Sequence, residues 1–129
     1  MSILTSPTFI SRVDDVDMKS TGQTTLLTVP DGTNLIITDI YIMCSAADTI
    51  TVAPSVSVGV SPNYDEWIGS TTLTGLNTVR EYACLSESAT IPLRNVFAPS
   101  DVIKLDVRTG ATATTFRAHV LIFGMYFNI

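Results

Sequence analysis

Ala118-His119-Val120-Leu121-Ile122-Phe123-Gly124-Met125-Tyr126-Phe127 closes the chain with a run that is apolar at almost every position. Side chains alternate across a strand, so Ala118, Val120, Ile122 and Tyr126 share one face while Leu121, Phe123, Met125 and Phe127 share the other. A small antiparallel sandwich covers only one face of each strand with its own core. The second face therefore needs cover from elsewhere, and a neighbouring subunit is the economical source. Leu121, Phe123, His119, Met125 and Phe127 are accordingly the candidate oligomer-interface residues. Gly124, inside the strand, marks either a bulge or a point where another backbone comes close. A bulge would reverse the phase of Met125 to Phe127, which leaves Leu121 and Phe123 as the firmest members of the set.

Working back from this strand, extended segments and turn signals alternate at roughly eight to twelve residues. Val102 to Arg108 alternates cleanly, with Ile103, Leu105 and Val107 inward and Lys104, Asp106 and Arg108 outward. Ile91 to Phe97 and Val79 to Leu85 precede it as strands. The segment from Ser61 to Asn77 is the least regular, and its Thr71-to-Leu76 part reads as a short helical turn or a crossing loop. Ser55 to Val60 alternates Val56, Val58 and Val60 against Ser55, Ser57 and Gly59, and Thr49 to Val52 reads as a shorter strand before it. Leu35 to Cys44 is a long strand with Ile36, Ile40 and Ile42 on one face and Leu35, Ile37, Tyr41 and Met43 on the other. Thr24 to Val29 is joined to it by Pro30-Asp31-Gly32-Thr33, where Pro presets φ, Asp bonds its own backbone and Gly supplies φ > 0. Residues 1–20 differ from the rest: Thr8-Phe9-Ile10 reads as a short strand before the crowded Asp14, Asp15 and Asp17. This stretch is read as an N-terminal arm docked on a neighbour, and 21–129 as the folded domain.

Composition supports the same class. The chain has 129 residues, enough for one domain with a real core. Threonine, valine and isoleucine abound, and helix formers are scarce, with Lys19 and Lys104 the only lysines and Gln23 the only glutamine. The expected fold is all-β: a two-sheet antiparallel sandwich, jelly-roll-like, of about eight strands.

A net charge of −5 with scattered Arg12, Arg80, Arg94, Arg108 and Arg117 argues against nucleic-acid and anionic-membrane binding, both of which need a basic stripe. The closing run is too short for a transmembrane helix, and the rest of the chain lacks the regular series of strands of an outer-membrane barrel. The N-terminal residues show no secretory signal pattern. Cys44 and Cys84 fall in strand-like apolar segments and are expected as buried free thiols.

Chemistry is sparse. His119 is the only histidine, so neither a histidine metal cluster nor a triad with an orienting carboxylate is in view. Asp14, Asp15 and Asp17 lack the EF-hand spacing and read as a solvated acidic face, and no metal or cofactor is expected. Isolated glycines make no phosphate loop. Tyr64-Asp65-Glu66-Trp67 is the one loop with the makings of a ligand or partner site: aromatic faces for sugar rings beside acids for hydroxyls. Against that, a Trp after a loop commonly plugs the core. As a glycosidase pair the adjacent acids fail, since that chemistry needs carboxyls facing each other across a bond.

Thr28-Val29-Pro30-Asp31-Gly32-Thr33-Asn34-Leu35-Ile36-Ile37-Thr38-Asp39-Ile40 resembles the V-P-x-G-T-x-x-I-I-T-D-I opening of small β-sandwich virion proteins of tailed bacteriophages. Thr109-Gly110-Ala111-Thr112-Ala113-Thr114-Thr115 and the long strand after it resemble the way such modules end. The resemblance implies a non-enzymatic structural protein of the virion, made in the host cytoplasm. It further implies a head decoration (cementing) protein or a tail-fibre or spike module, usually a trimer, and transfers no catalytic residue. The expected function is a homotrimeric capsid decoration protein that clamps the major capsid protein or another virion protein. The alternative is a tail-fibre or spike module that binds a receptor or carbohydrate through Tyr64 to Trp67.

Overall fold

A computed structural model of the chain describes residues 8–86 and 96–128. The described residues form strands and loops without a helix: β1 (Thr8–Asp17), β2 (Gly22–Thr28), β3 (Asn34–Asp48), β4 (Ser55–Gly59), β5 (Ile68–Thr72), β6 (Tyr82–Ser86), β7 (Val102–Thr109) and β8 (Thr115–Phe127). They make two four-stranded antiparallel sheets, ordered β1-β8-β3-β6 and β2-β7-β4-β5. Four of the hydrogen-bonded pairs are β1·β8, β2·β7, β3·β6 and β4·β5. The chain is therefore one long hairpin, with β4 and β5 at its tip, rolled over so that the other successive strands alternate between sheets, which is the jelly-roll arrangement.

The core lies between the sheets. Ile40, Ile42, Val120 and Ile122 of the first sheet face Val56, Val58, Ile103 and Leu105 of the second, and all are fully buried. Strand β7 alternates as its sequence requires, with Val107 also buried. In the turn between β2 and β3, the Thr33 N–H donates to the Pro30 carbonyl (3.3 Å) and Gly32 takes φ 75°.

Several expectations change in detail. Residues 8–17, read as part of an arm, form the whole of β1 on β8, and Met18 just after it is fully buried. Of residues 71–76, read as a short helical turn or a crossing loop, Thr71 and Thr72 end strand β5 and residues 73–76 form a loop. Around Thr49 to Val52 the pairing is a single bridge, Val52 with Thr112. The strand expected over Ile91 to Phe97 lies mostly outside the described residues, and its last residue, Phe97, bridges Leu35. Cys44 is buried as expected, whereas Cys84 is exposed, because short β6 is an edge strand that shows one face to solvent; both thiols are free.

The largest correction is the phase of β3. Leu35 and Ile37 are buried, but so are Ile40, Ile42 and Cys44, which simple alternation puts on opposite faces. The pairing with β8 explains this. Ile37 pairs with Gly124 and Asp39 with Phe123, so Thr38 is an extra residue, a bulge that reverses the strand's phase. A second shift lies between Cys44 and Ala46. On the other flank of β8, β1 carries its own shift between Phe9 and Ser11.

Strand β8 itself runs through without a skip. The irregularities sit on its partners: the extra residue of β3 lies between the partners of Gly124 and Phe123, and the nearest one of β1 between the partners of Phe123 and Ile122. Gly124 is the close approach: a Cβ there would collide with the Ile36 carbonyl. Gly124→Ala should therefore cost about 1–3 kcal/mol by forcing β3 and β8 apart. Gly69→Ala on β5, where a Cβ meets nothing within 4 Å, should change stability little. Urea denaturation of the two variants checks this, and equal midpoints would contradict it.

Candidate functional site

Because β8 keeps its phase, its second face turns out of the sandwich. His119, Leu121, Phe123, Met125 and Phe127 are all half-buried there, while Phe116, Ala118, Val120 and Ile122 fill the core. The Thr38 bulge brings Tyr41 and Met43 of β3 onto the same outer face, where Tyr41 pairs with Leu121 and Met43 with His119. The flanking strands complete it. Phe9 of β1 pairs with Phe123, and from β6, Tyr82 pairs with Met43 and Cys84 with Tyr41.

The result is a row of aromatic rings that crosses all four strands. Phe9 and Phe123 meet edge to face with centroids 5.6 Å apart, Phe123 and Tyr41 likewise at 5.4 Å, and Tyr41 and Tyr82 are tilted at 5.8 Å. These are favourable quadrupole arrangements. The row's ends remain open to solvent: Phe9 is 52% exposed and Tyr82 62%. Leu121 and Met43 lie beside the row, so the outer face of the first sheet presents a continuous apolar band. Single exposed apolar residues are ordinary; a contiguous band is the kind of surface proteins bury against a partner.

One margin of this band is charged. Between Val13 and Val16 strand β1 bulges, and Asp15 takes φ 51°. The loosened Asp14 and Asp15 lean onto His119. Its Nδ1 lies 3.2 Å from Asp14 Oδ1 and also accepts the Asp15 N–H at 3.2 Å. Arg12 is hydrogen-bonded to Asp14, and its guanidinium holds that carboxyl below the usual carboxylate range against a small opposing effect of desolvation. Ser45 Oγ donates to Asp15 Oδ1 (2.8 Å), and Arg117 Nη1 donates to the Asp15 carbonyl (3.3 Å).

The loop Tyr64-Asp65-Glu66-Trp67 is placed quite differently, on the second sheet's side. Trp67 is 1% exposed; its indole N–H donates to the Ile37 carbonyl at 2.9 Å and its backbone N–H to the Val58 carbonyl at 3.0 Å. It thus ties β4 to β3 across the core. Glu66 Oε1 accepts the Val60 N–H (2.7 Å), so its carboxylate closes the loop. Tyr64 has the Lys104 ammonium 5.7 Å from its ring centroid, and its carbonyl accepts from buried Ser57 (2.7 Å). Asp65 is exposed, with Arg108 at 4.0 Å. Arg108 is the loop's anchor: its Nε donates to Ser57 Oγ (2.9 Å) and pairs with Asp106 (3.1 Å), and its Nη2 reaches the Asn63 carbonyl. Glu66 and Trp67 are engaged in holding the loop, which leaves Tyr64 and Asp65 as its outward members.

Among the described residues no group of three His, Cys, Asp or Glu side chains is placed to hold a metal ion. Of the outer-face residues, Phe9, Tyr41, Met43 and Tyr82 were not candidates by sequence. Nothing local marks them; only the strand order and register bring them into one row with Phe123.

The Trp67 tie has a direct test. Trp67→Phe keeps most of the ring but removes the donor from a buried carbonyl, so stability should fall by about 1–3 kcal/mol in chemical denaturation. A loss under about 0.5 kcal/mol, the range of ordinary surface substitutions, would contradict the assignment.

No protein-family model matches the chain, and no curated protein matches it by sequence. Two solved structures are similar in fold. One is a chain of the cyanophage Pam1 capsid asymmetric unit, with TM-score 0.57 and 15% identity over 95% of this chain and 92% of that one. The other belongs to the acidic stable capsid structure of Helicobacter pylori bacteriophage KHP30, with TM-score 0.57 and 10% identity over 96% of this chain and 98% of that one. At these identities the likeness is one of fold, and it spans nearly the whole length of all three chains.

Proposed function

We propose that this protein is a non-enzymatic structural component of a bacteriophage virion, a homotrimeric capsid decoration protein that buries the outer face of its first sheet against other virion subunits. The observation that carries this reading is the aromatic row Phe9, Phe123, Tyr41 and Tyr82, aligned across four strands and open at both ends. It is supported by the two capsid structures that share the fold along nearly its whole length. It also agrees with the resemblance of residues 28–40 and 109–127 to small virion modules.

The mechanism is clamping. Apolar area removed from water contributes about 25 cal/mol per Å², of which a surplus survives the costs of association. Within the trimer, Leu121, Phe123 and Met125 are the central contacts, flanked along the strand by His119 and Phe127. A trimer then offers three equivalent weak contacts to the shell, and their avidity exceeds that of any one of them. The alternative, a tail-fibre or spike module reading a glycan or receptor, would have to work chiefly through Tyr64 and Asp65, since Trp67 lies in the core.

The reading predicts an oligomer at micromolar concentration and a larger effect of Phe123→Asp than of Lys104→Asp, which alters the second sheet's outer side. Multi-angle light scattering measures both. A wild-type monomer, or equal effects of the two substitutions on the mass, would overturn the reading.

A further inference from the structure

The margin of the aromatic band contains two hydrogen-bond demands that a single nitrogen cannot meet together. His119 Nδ1 accepts the Asp15 N–H at 3.2 Å, which requires a lone pair and hence an imidazole protonated only on Nε2. The same atom stands 3.2 Å from Asp14 Oδ1, a contact that is favourable only when Nδ1 carries a proton. Imidazole is the side chain that changes charge between about pH 5 and 8. On protonation Nδ1 turns from acceptor to donor: it gains Asp14 and gives up the Asp15 N–H.

The surroundings make this exchange a two-position device. From β1, Arg12, Asp14, Asp15 and Asp17 lie at this margin; from β8 itself comes Arg117, two residues before the histidine on the same face. Strand β3 contributes uncharged Met43, directly opposite, and Ser45, which holds the Asp15 carboxylate. The bulge carrying Asp14 and Asp15 has no ladder partner on β8 between Val13 and Val16, so side-chain contacts alone hold it, and the Asp15 N–H bond to His119 is one of them. Asp15 sits at φ 51°, in the left-handed region that few residues other than glycine, asparagine and aspartate enter.

The geometry points to a pH switch in which protonation of His119 releases the Asp15 N–H and loosens assembly through the outer face of the first sheet. The direction follows from desolvation, and the regulatory part rests on the assembly reading proposed above. In the free protein a released N–H finds water. At the edge of a closed interface it stays unpaired, and the His119–Asp14 ion pair formed on protonation is taken out of water with it, so the assembled form carries the cost of the lost bond and the desolvation of the pair. Acid should weaken association at least about tenfold, the factor expected for one unsatisfied buried donor.

Two measurements on the full chain at pH 8 and pH 5 test this together: amide hydrogen exchange at Asp15 by NMR, corrected for intrinsic exchange, and mass by light scattering. In the wild type, Asp15 should lose protection at least about tenfold in acid relative to ladder amides such as Val120, and the oligomer should shift toward monomer. His119→Gln, which keeps an uncharged acceptor, should abolish both responses. If Asp15 is unaffected by acid, the switch is overturned whatever the mass does. If Asp15 responds but the oligomer is equally stable at both pH values, the regulatory role is overturned. A monomer at both pH values overturns the assembly reading and its regulation, and the Asp15 exchange then reports on the hydrogen-bond exchange alone.

Discussion

The outer face of the first sheet depends on one extra residue, Thr38. Had β3 continued in strict alternation after Leu35 and Ile37, Tyr41 and Met43 would point into the core, and Ile40 and Ile42 would lie outside. The bulge reverses this. It delivers three consecutive inward residues, Ile40, Ile42 and Cys44, to the core, and it sets Tyr41 between Phe123 and Tyr82 outside. Bulges need support, because they interrupt the ladder. Here the Trp67 indole N–H satisfies the carbonyl of Ile37, the residue just before the extra one. A side chain of the β4–β5 connection thereby fixes which aromatics the opposite sheet presents to the outside.

Strand β8 is the complement of that arrangement. It lies between β1 and β3, both of which are irregular beside Phe123, while β8 itself stays in phase from Phe116 to Met125. Gly124 lets the Ile36 backbone come close where β3 is displaced by its bulge. The central strand is thus a straight template, and its neighbours bend to fit it. The consequence is functional as well as structural, since the outward residues of a straight central strand form the spine of the apolar band.

Much of the fold was legible because its signals are periodic. The inward set Ile103, Leu105 and Val107 of β7, Val56 and Val58 of β4, and the Pro30-to-Thr33 turn depend on residues close in sequence, and the structure has them, although Ser57 and Asp106 are buried as well and Asp31 accepts from Ser100 Oγ. The two-faced closing strand was legible for the same reason. The phase of β3 was not, because the apolar run Leu35-Ile36-Ile37 reads equally well in either phase and a bulge is decided by the partner strand. The extent of β1 was hidden by its own charges: Arg12, Asp14 and Asp15 read as a solvated arm, yet one side of the strand carries Val13 and Val16 onto the sandwich. Of the aromatic row only Phe123 was visible in advance. Its companions come from three other strands, and no local pattern connects positions 9, 41 and 82.

Assembly through the outer face of the first sheet would cover this band. Hydroxyl-radical footprinting reads it directly, since aromatic and thioether side chains oxidise in proportion to their exposure. Dissociated protein should be modified at Phe9, Tyr82 and Met43, and the assembled protein should be protected at those positions while Tyr64, on the second sheet's side, is modified equally in both states. Equal modification of Phe9, Tyr82 and Met43 in the two states would contradict the account.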